Sequence, residues 1–167
     1  MAAISGIELK RPAWQTTVIF TLAFWLSSSL ILDLAIMPSL YATGMMTQPG
    51  FATAGYSIFW IFNRIELLCA GLVLTGLLAL RGTQKTGSDT ERKPIILSLL
   101  LLAIILIYTY ILTPEMSALG LQLNLFEPSV GTPATMTQMH EGYWILEAVK
   151  LIVGGTLLSW CYRNQQS

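Results

Sequence analysis

Asp33, Arg64, Glu66, Glu115, Glu147 and Lys150 fall within, or at the ends of, stretches that are otherwise apolar enough to cross a membrane. A charge near the centre of a bilayer costs at least ~2.5–3.5 kcal/mol, so a chain that keeps six such groups must pair, hydrate or use them. Four carboxylates here face two cations, an excess of two negative charges if all are ionised. In a low dielectric that excess calls for a protonated carboxyl or a bound cation. The chemistry on offer is proton or cation binding. The plainer reading is an internal salt-bridge network that only fixes helix register.

Helical spacing sorts these residues by face. His140, Trp144, Glu147 and Lys150 follow i, i+4, i+7, i+10 and share one side of a helix, where Glu147 and Lys150 can pair. Arg64 and Glu66 lie about 200° apart around their helix, so they cannot point at one spot. Asn63 goes with Glu66, and Arg64 goes with Trp60, Leu67 and Gly71. Arg64 is therefore expected to reach a carboxylate on another helix: Glu147, Asp33 or Glu115.

A second chemistry involves sulfur and imidazole. The only histidine, His140, closes the run Met136-Thr-Gln-Met139-His140. Thioether and imidazole suit Cu(I), so Met136, Met139 and His140 form a candidate copper set. The alternative is that methionines fill irregular gaps. One histidine excludes bis-histidine haem within a single chain and leaves Met/His ligation as the haem option. Cys69 and Cys161 lie far apart in apolar segments, with no metal-ligand or disulfide spacing, and read as packing residues.

The elements that must position these groups follow from composition. The chain of 167 residues is 54% hydrophobic and 11% charged, with mean hydropathy +0.64, well below the roughly 25% charged residues of soluble domains. Four stretches suffice to cross a hydrocarbon core, at residues 14–38, 56–80, 94–114 and 139–161. Pro94 suits a first helical turn, whereas Pro38 and Pro114 fall where helices should stop or bend. Seven of the nine basic residues (Lys10, Arg11, Arg81, Lys85, Arg92, Lys93 and Arg163) lie on one side. The positive-inside rule puts that side, with both termini, in the cytoplasm.

The expected fold is all-α: one integral membrane domain over residues 1–167, a four-helix up-down-up-down bundle with both termini cytoplasmic. The first span is too long and too polar at Asp33 for a signal peptide and reads as a retained helix. The charges then form one layer in the extracytoplasmic half, with Asp33 about 8 Å from its helix end and Glu66 about 15 Å below Tyr56. A long outer connection, Leu119–Gln138, reads as an interfacial or capping segment.

Nucleophile elbows, zinc-protease motifs and phosphate-binding glycine loops are absent. Zero net charge with no basic tract excludes nucleic acid as a partner. Gly71, Gly76, Gly154 and Gly155 read as points of close helix approach. Four segments carry a resemblance: Asp33-Leu-Ala-Ile-Met-Pro-Ser-Leu, Ile61-Phe-Asn-Arg-Ile-Glu-Leu-Leu-Cys-Ala, Leu112-Thr-Pro-Glu-Met-Ser-Ala-Leu-Gly and Met139-His-Glu-Gly-Tyr-Trp-Ile-Leu-Glu-Ala-Val-Lys. Over about residues 14–161 the chain resembles the four-helix membrane family called domain-of-unknown-function 4149, itself similar in layout to copper-resistance D type membrane proteins. The resemblance implies a bacterial inner membrane, or a thylakoid membrane for cyanobacterial members, and no settled activity. The first span lacks the histidine of membrane haem-biosynthetic oxidases of similar size.

Three expectations follow. The first is a non-enzymatic membrane bundle with an extracytoplasmic-facing charged pocket of Asp33, Arg64, Glu66, Glu115, Glu147 and Lys150 that binds a cation, metal ion or small polar solute, with His140 at its mouth. The second is an accessory or assembly subunit whose charges meet a membrane-protein partner or a second copy. The third is a haem- or quinone-linked redox protein.

Overall fold

The computed structural model describes residues 10–45, 48, 50–82, 92–126 and 134–166. Among them every regular element is helical: α1 (Lys10–Ile31), a π-helical turn (Leu32–Ile36), α2 (Met37–Ala42), α3 (Phe51–Gly82), α4 (Arg92–Ile107), a second π-helical turn (Tyr108–Leu112), α5 (Thr113–Phe126) and α6 (Ala134–Gln166). Each π turn runs directly into its flanking helices, which leaves four long rods. Each rod holds a stretch long and apolar enough to cross a membrane: Ala13–Ala42, Thr53–Gly82, Arg92–Gly120 and Thr135–Asn164. α1 packs on α3 and α6, and α4 packs on the same two, so the rods ring a common core.

Each rod turns one helical stripe inward. α1 buries Val18, Leu22 and Trp25, α3 buries Ala70, Val73 and Leu77, α4 buries Leu101, Ile104 and Ile105, and α6 buries Leu157 and Cys161. The outward faces are apolar too: Phe20, Leu68 and Ile152 are each about 70% exposed. A water-facing helix would carry polar residues at such positions.

Where both faces are apolar, helices gain little from leaving lipid for one another, and close van der Waals contact must hold them. Gly76 supplies such a contact. A Cβ there would overlap Val18 Cγ2 on α1. Val18 is β-branched and restricted at χ1, so it cannot swing away cheaply. At Gly154 the nearest atom would be Leu26 Cδ2, at 2.7 Å, the far end of a more flexible side chain. Gly76→Ala is therefore expected to destabilise by about 1–3 kcal/mol, and Gly154→Ala by less, in thermal unfolding of the protein in detergent micelles. Adding Val18→Ala should recover most of the Gly76→Ala loss. A Cβ added at Gly71 or Gly155 would meet nothing within 4 Å, so these two glycines make no such contact.

The rods outrun the spans expected from the sequence. Pro38 and Pro114 end no helix, because the turn before each one widens. A proline has no N–H, and its ring crowds the carbonyl four residues back. Here the N–H of Met37 reaches the Leu32 carbonyl and that of Thr113 reaches the Tyr108 carbonyl, both one residue beyond the α-helical partner. The wider turn absorbs the crowding, and each chain continues as helix for at least another turn. α2 then stops at Gly44, whose φ of 69° favours glycine, with its N–H bonded to the Tyr41 carbonyl at 3.0 Å. Much of the expected outer connection is helix as well, in α5 up to Phe126 and in α6 from Ala134. Residues 127–133 of that connection, with Pro128, Gly131 and Pro133, lie outside the described residues.

Candidate functional site

The buried stripe of each rod changes character along its length. On α1, Val18, Leu22 and Trp25 lead on to Ser29, and the π turn that follows presents Asp33. On α3, Leu77, Val73 and Ala70 lead back to Glu66 and Asn63. On α6, Leu157 leads back to Lys150 and Glu147. Half of the interior is thus apolar and half polar, with Asp33, Glu66, Glu147 and Lys150 each no more than 4% exposed. Both π turns contribute here, as such widened turns often do at functional sites: one carries Asp33 and the other Tyr108.

Lys150 is the centre of the polar half. Its ammonium lies 2.6 Å from Glu66 Oε1 and 2.7 Å from Glu147 Oε2, and 5.5 Å from the centre of the Tyr108 ring. Glu66 Oε1 also accepts from Trp25 Nε1 at 2.9 Å and from Ser29 Oγ at 3.0 Å. One carboxylate oxygen of α3 thereby ties α1 and α6 together. Glu147 Oε2 accepts from the Tyr108 hydroxyl at 3.2 Å. Tyr143, one turn before Glu147, donates to Asp33 Oδ1 at 2.7 Å, and its ring lies 5.2 Å from that of Tyr108. Asn63 Nδ2 donates to Thr113 Oγ1 at 2.7 Å, fixing α3 against α5.

One atom in this network is unsatisfied. Glu147 Oε1 is buried with no hydrogen-bond partner. A carboxylate oxygen enclosed in this way is costly and calls for an explanation in terms of a ligand, a proton or a functional role.

Four of the six charges singled out in the sequence are brought into this polar half. The other two stand apart. Arg64 reaches no carboxylate on another helix; it is exposed, with its guanidinium 5.0 Å over the Trp60 ring. The 200° between it and Glu66 decides this, because Glu66 takes the inward direction. Glu115 is exposed near the start of α5. His140 is exposed too, and its Nδ1 donates to the Met136 carbonyl at 2.8 Å. Although His140 shares the face of Glu147, it lies two turns nearer the helix end, where the side chain is exposed. Trp144 sits about 60° around the helix from Glu147 and is 51% exposed.

Met136 and Met139 are half-buried, and the His140 bond to its own helix leaves Nε2 as the nitrogen open to a metal. Among the described residues no group of three or more His, Cys, Asp or Glu side chains is placed to hold a metal ion. Trp25, Ser29, Tyr108 and Tyr143 are donors to these carboxylates that the sequence reading did not single out. Their signal was present: Trp25, Ser29 and Asp33 recur every four residues, as do Tyr143 and Glu147.

The arrangement can hold positive charge. Three buried carboxylates here face one buried ammonium, three hydroxyls and one indole N–H. No protein-family model, no curated protein and no solved structure matches the chain.

Proposed function

We propose that this chain is a multi-pass membrane protein whose buried polar half binds a small cation, a proton in the first place. The carrying observation is the charge count at the site: Asp33, Glu66 and Glu147 against Lys150 alone, with Glu147 Oε1 unpartnered. Lys150 offsets one negative charge, and burying the others unpaired is costly. A cation seated at Glu147 Oε1 meets that need. A neutral or anionic solute does not.

The membrane reading draws support from four long apolar rods and their apolar outer surfaces. In the up-down-up-down order, with the basic residues cytoplasmic, the polar half lies nearer the extracytoplasmic face. The apolar half then separates it from the cytoplasm, so the site is one-sided. The resemblance to the domain-of-unknown-function 4149 family agrees with this layout and is proposed as its family. An accessory-subunit role has one observation in its favour, the exposed Glu115 near the start of α5, which a partner's basic residue could meet.

Thermal unfolding in detergent micelles, scanned over pH and over added Na⁺, K⁺, Ca²⁺, Zn²⁺ and Cu⁺, tests the cation. One cation or the proton should raise Tm saturably, by the equivalent of about 2.7 kcal/mol at a hundredfold excess over Kd. Glu147→Gln removes one negative charge, and Asp33→Asn another; either variant should lose that response and keep the fold. A response identical in the wild type and both variants rules the site out.

A further inference from the structure

Arg64 has no role in the cation site, and its surroundings identify a different ligand. It occupies the Thr53–Gly82 stretch of α3, eleven residues or about 16 Å from Thr53. Centring a hydrocarbon core of about 30 Å on this 30-residue, roughly 45 Å stretch leaves the Arg64 backbone about 9 Å inside the core. The exposed side chains around it are Ile61, Ile65 and Leu68, an oily surface. No carboxylate among the described residues pairs with it, and its guanidinium lies against the face of Trp60, one turn toward Phe51. A guanidinium left there unpaired pays the membrane penalty in full.

The side-chain direction says where its counter-charge lies. Helical side chains tilt toward the helix N-terminus, and the guanidinium over Trp60 follows that tilt toward the Phe51 end of the rod. Tyr56, Trp60 and Arg64, spaced four residues apart, form an exposed stripe on one face. Tyr and Trp suit the membrane–water boundary, and a long basic side chain reaches that boundary by snorkelling. The anions found there in every phospholipid bilayer are phosphates, which a guanidinium binds through two parallel hydrogen bonds.

We infer that Arg64, backed by Trp60, binds the phosphate of a phospholipid in the leaflet at the Phe51 end of α3. This inference rests on the membrane reading and not on the cation site. Protein with ¹³C-labelled arginine is placed in phosphatidylglycerol–phosphatidylcholine bilayers, and ¹³Cζ–³¹P dipolar dephasing is compared with that of Arg64→Leu. The wild type should show one dephased Cζ signal that the variant lacks. In phosphate-free galactolipid bilayers the wild type should lose that signal even with inorganic phosphate added, and its Tm should fall. The Tm of Arg64→Leu should be the same in both lipids. Dephasing by free phosphate, or no dephasing in phospholipid, overturns the inference. So does an Arg64 cross-link to an acidic residue of a co-purifying membrane helix, which would assign this face to a protein partner.

Discussion

Lys150→Met is expected to cost about 3–5 kcal/mol, the usual loss when one partner of a buried ion pair is removed. Methionine nearly matches the length of the lysine stem, so the deficit isolates the missing ammonium. Without it Glu66 Oε1 loses its 2.6 Å contact and Glu147 Oε2 its 2.7 Å contact, and three buried carboxyl groups are left with hydroxyl and indole donors only. Unfolding in micelles titrated with a denaturing detergent reads the loss. The triple variant Lys150→Met, Glu66→Gln, Glu147→Gln removes all three charges together and should regain much of it, because replacing a whole buried ionic group by neutral residues is often close to neutral in stability. If Lys150→Met alone is as stable as the wild type, the ammonium is not what links α3 to α6 across the core. The same variants separate structure from binding: a restored fold with no cation response assigns the charges to the ligand.

The four rods were legible in the sequence because length and hydropathy alone set them, and the exposed Phe20 and Leu68 gave the same apolar signal as the buried Leu22 and Val73. The inward direction was harder to read. For Glu147 and Lys150 the three-residue spacing was enough to bring them together, since neighbours on one helix need no knowledge of any other. Arg64 shows the limit. Its separation from Glu66 was plain, but which of the two faced inward depends on how α3 is rotated against α1 and α4, and that is set by packing such as Gly76 on Val18. Trp25, Tyr108 and Tyr143 escaped notice because aromatic residues in apolar helices look like filler until a carboxylate is found opposite. Of the two outcomes expected at Pro38 and Pro114, a stop or a bend, the stop did not occur for a local reason: a widened turn lets a helix pass through a proline, and the chain carries no separate mark for it.

Glu66→Leu is the second large effect, expected at about 2–4 kcal/mol, and it tests hydrogen bonding where Lys150→Met tests charge. Two neutral donors depend on Glu66 Oε1, the Trp25 indole N–H at 2.9 Å and the Ser29 hydroxyl at 3.0 Å. A buried donor stripped of its acceptor costs about 1–3 kcal/mol. Ser29 can turn back to a carbonyl of its own helix and recover part of that, whereas the rigid indole cannot turn in the same way. Lys150 retains Glu147, and losing one of three carboxylates eases the negative excess, so the charge change works against the damage. Glu66→Gln keeps an acceptor oxygen while removing the same charge. If hydrogen bonding dominates, Glu66→Gln stays within about 1 kcal/mol of the wild type, and the Trp25 indole proton exchanges with solvent faster only in Glu66→Leu. Equal losses in the two variants, with unchanged indole exchange, would instead make the Glu66–Lys150 attraction the main tie between these helices.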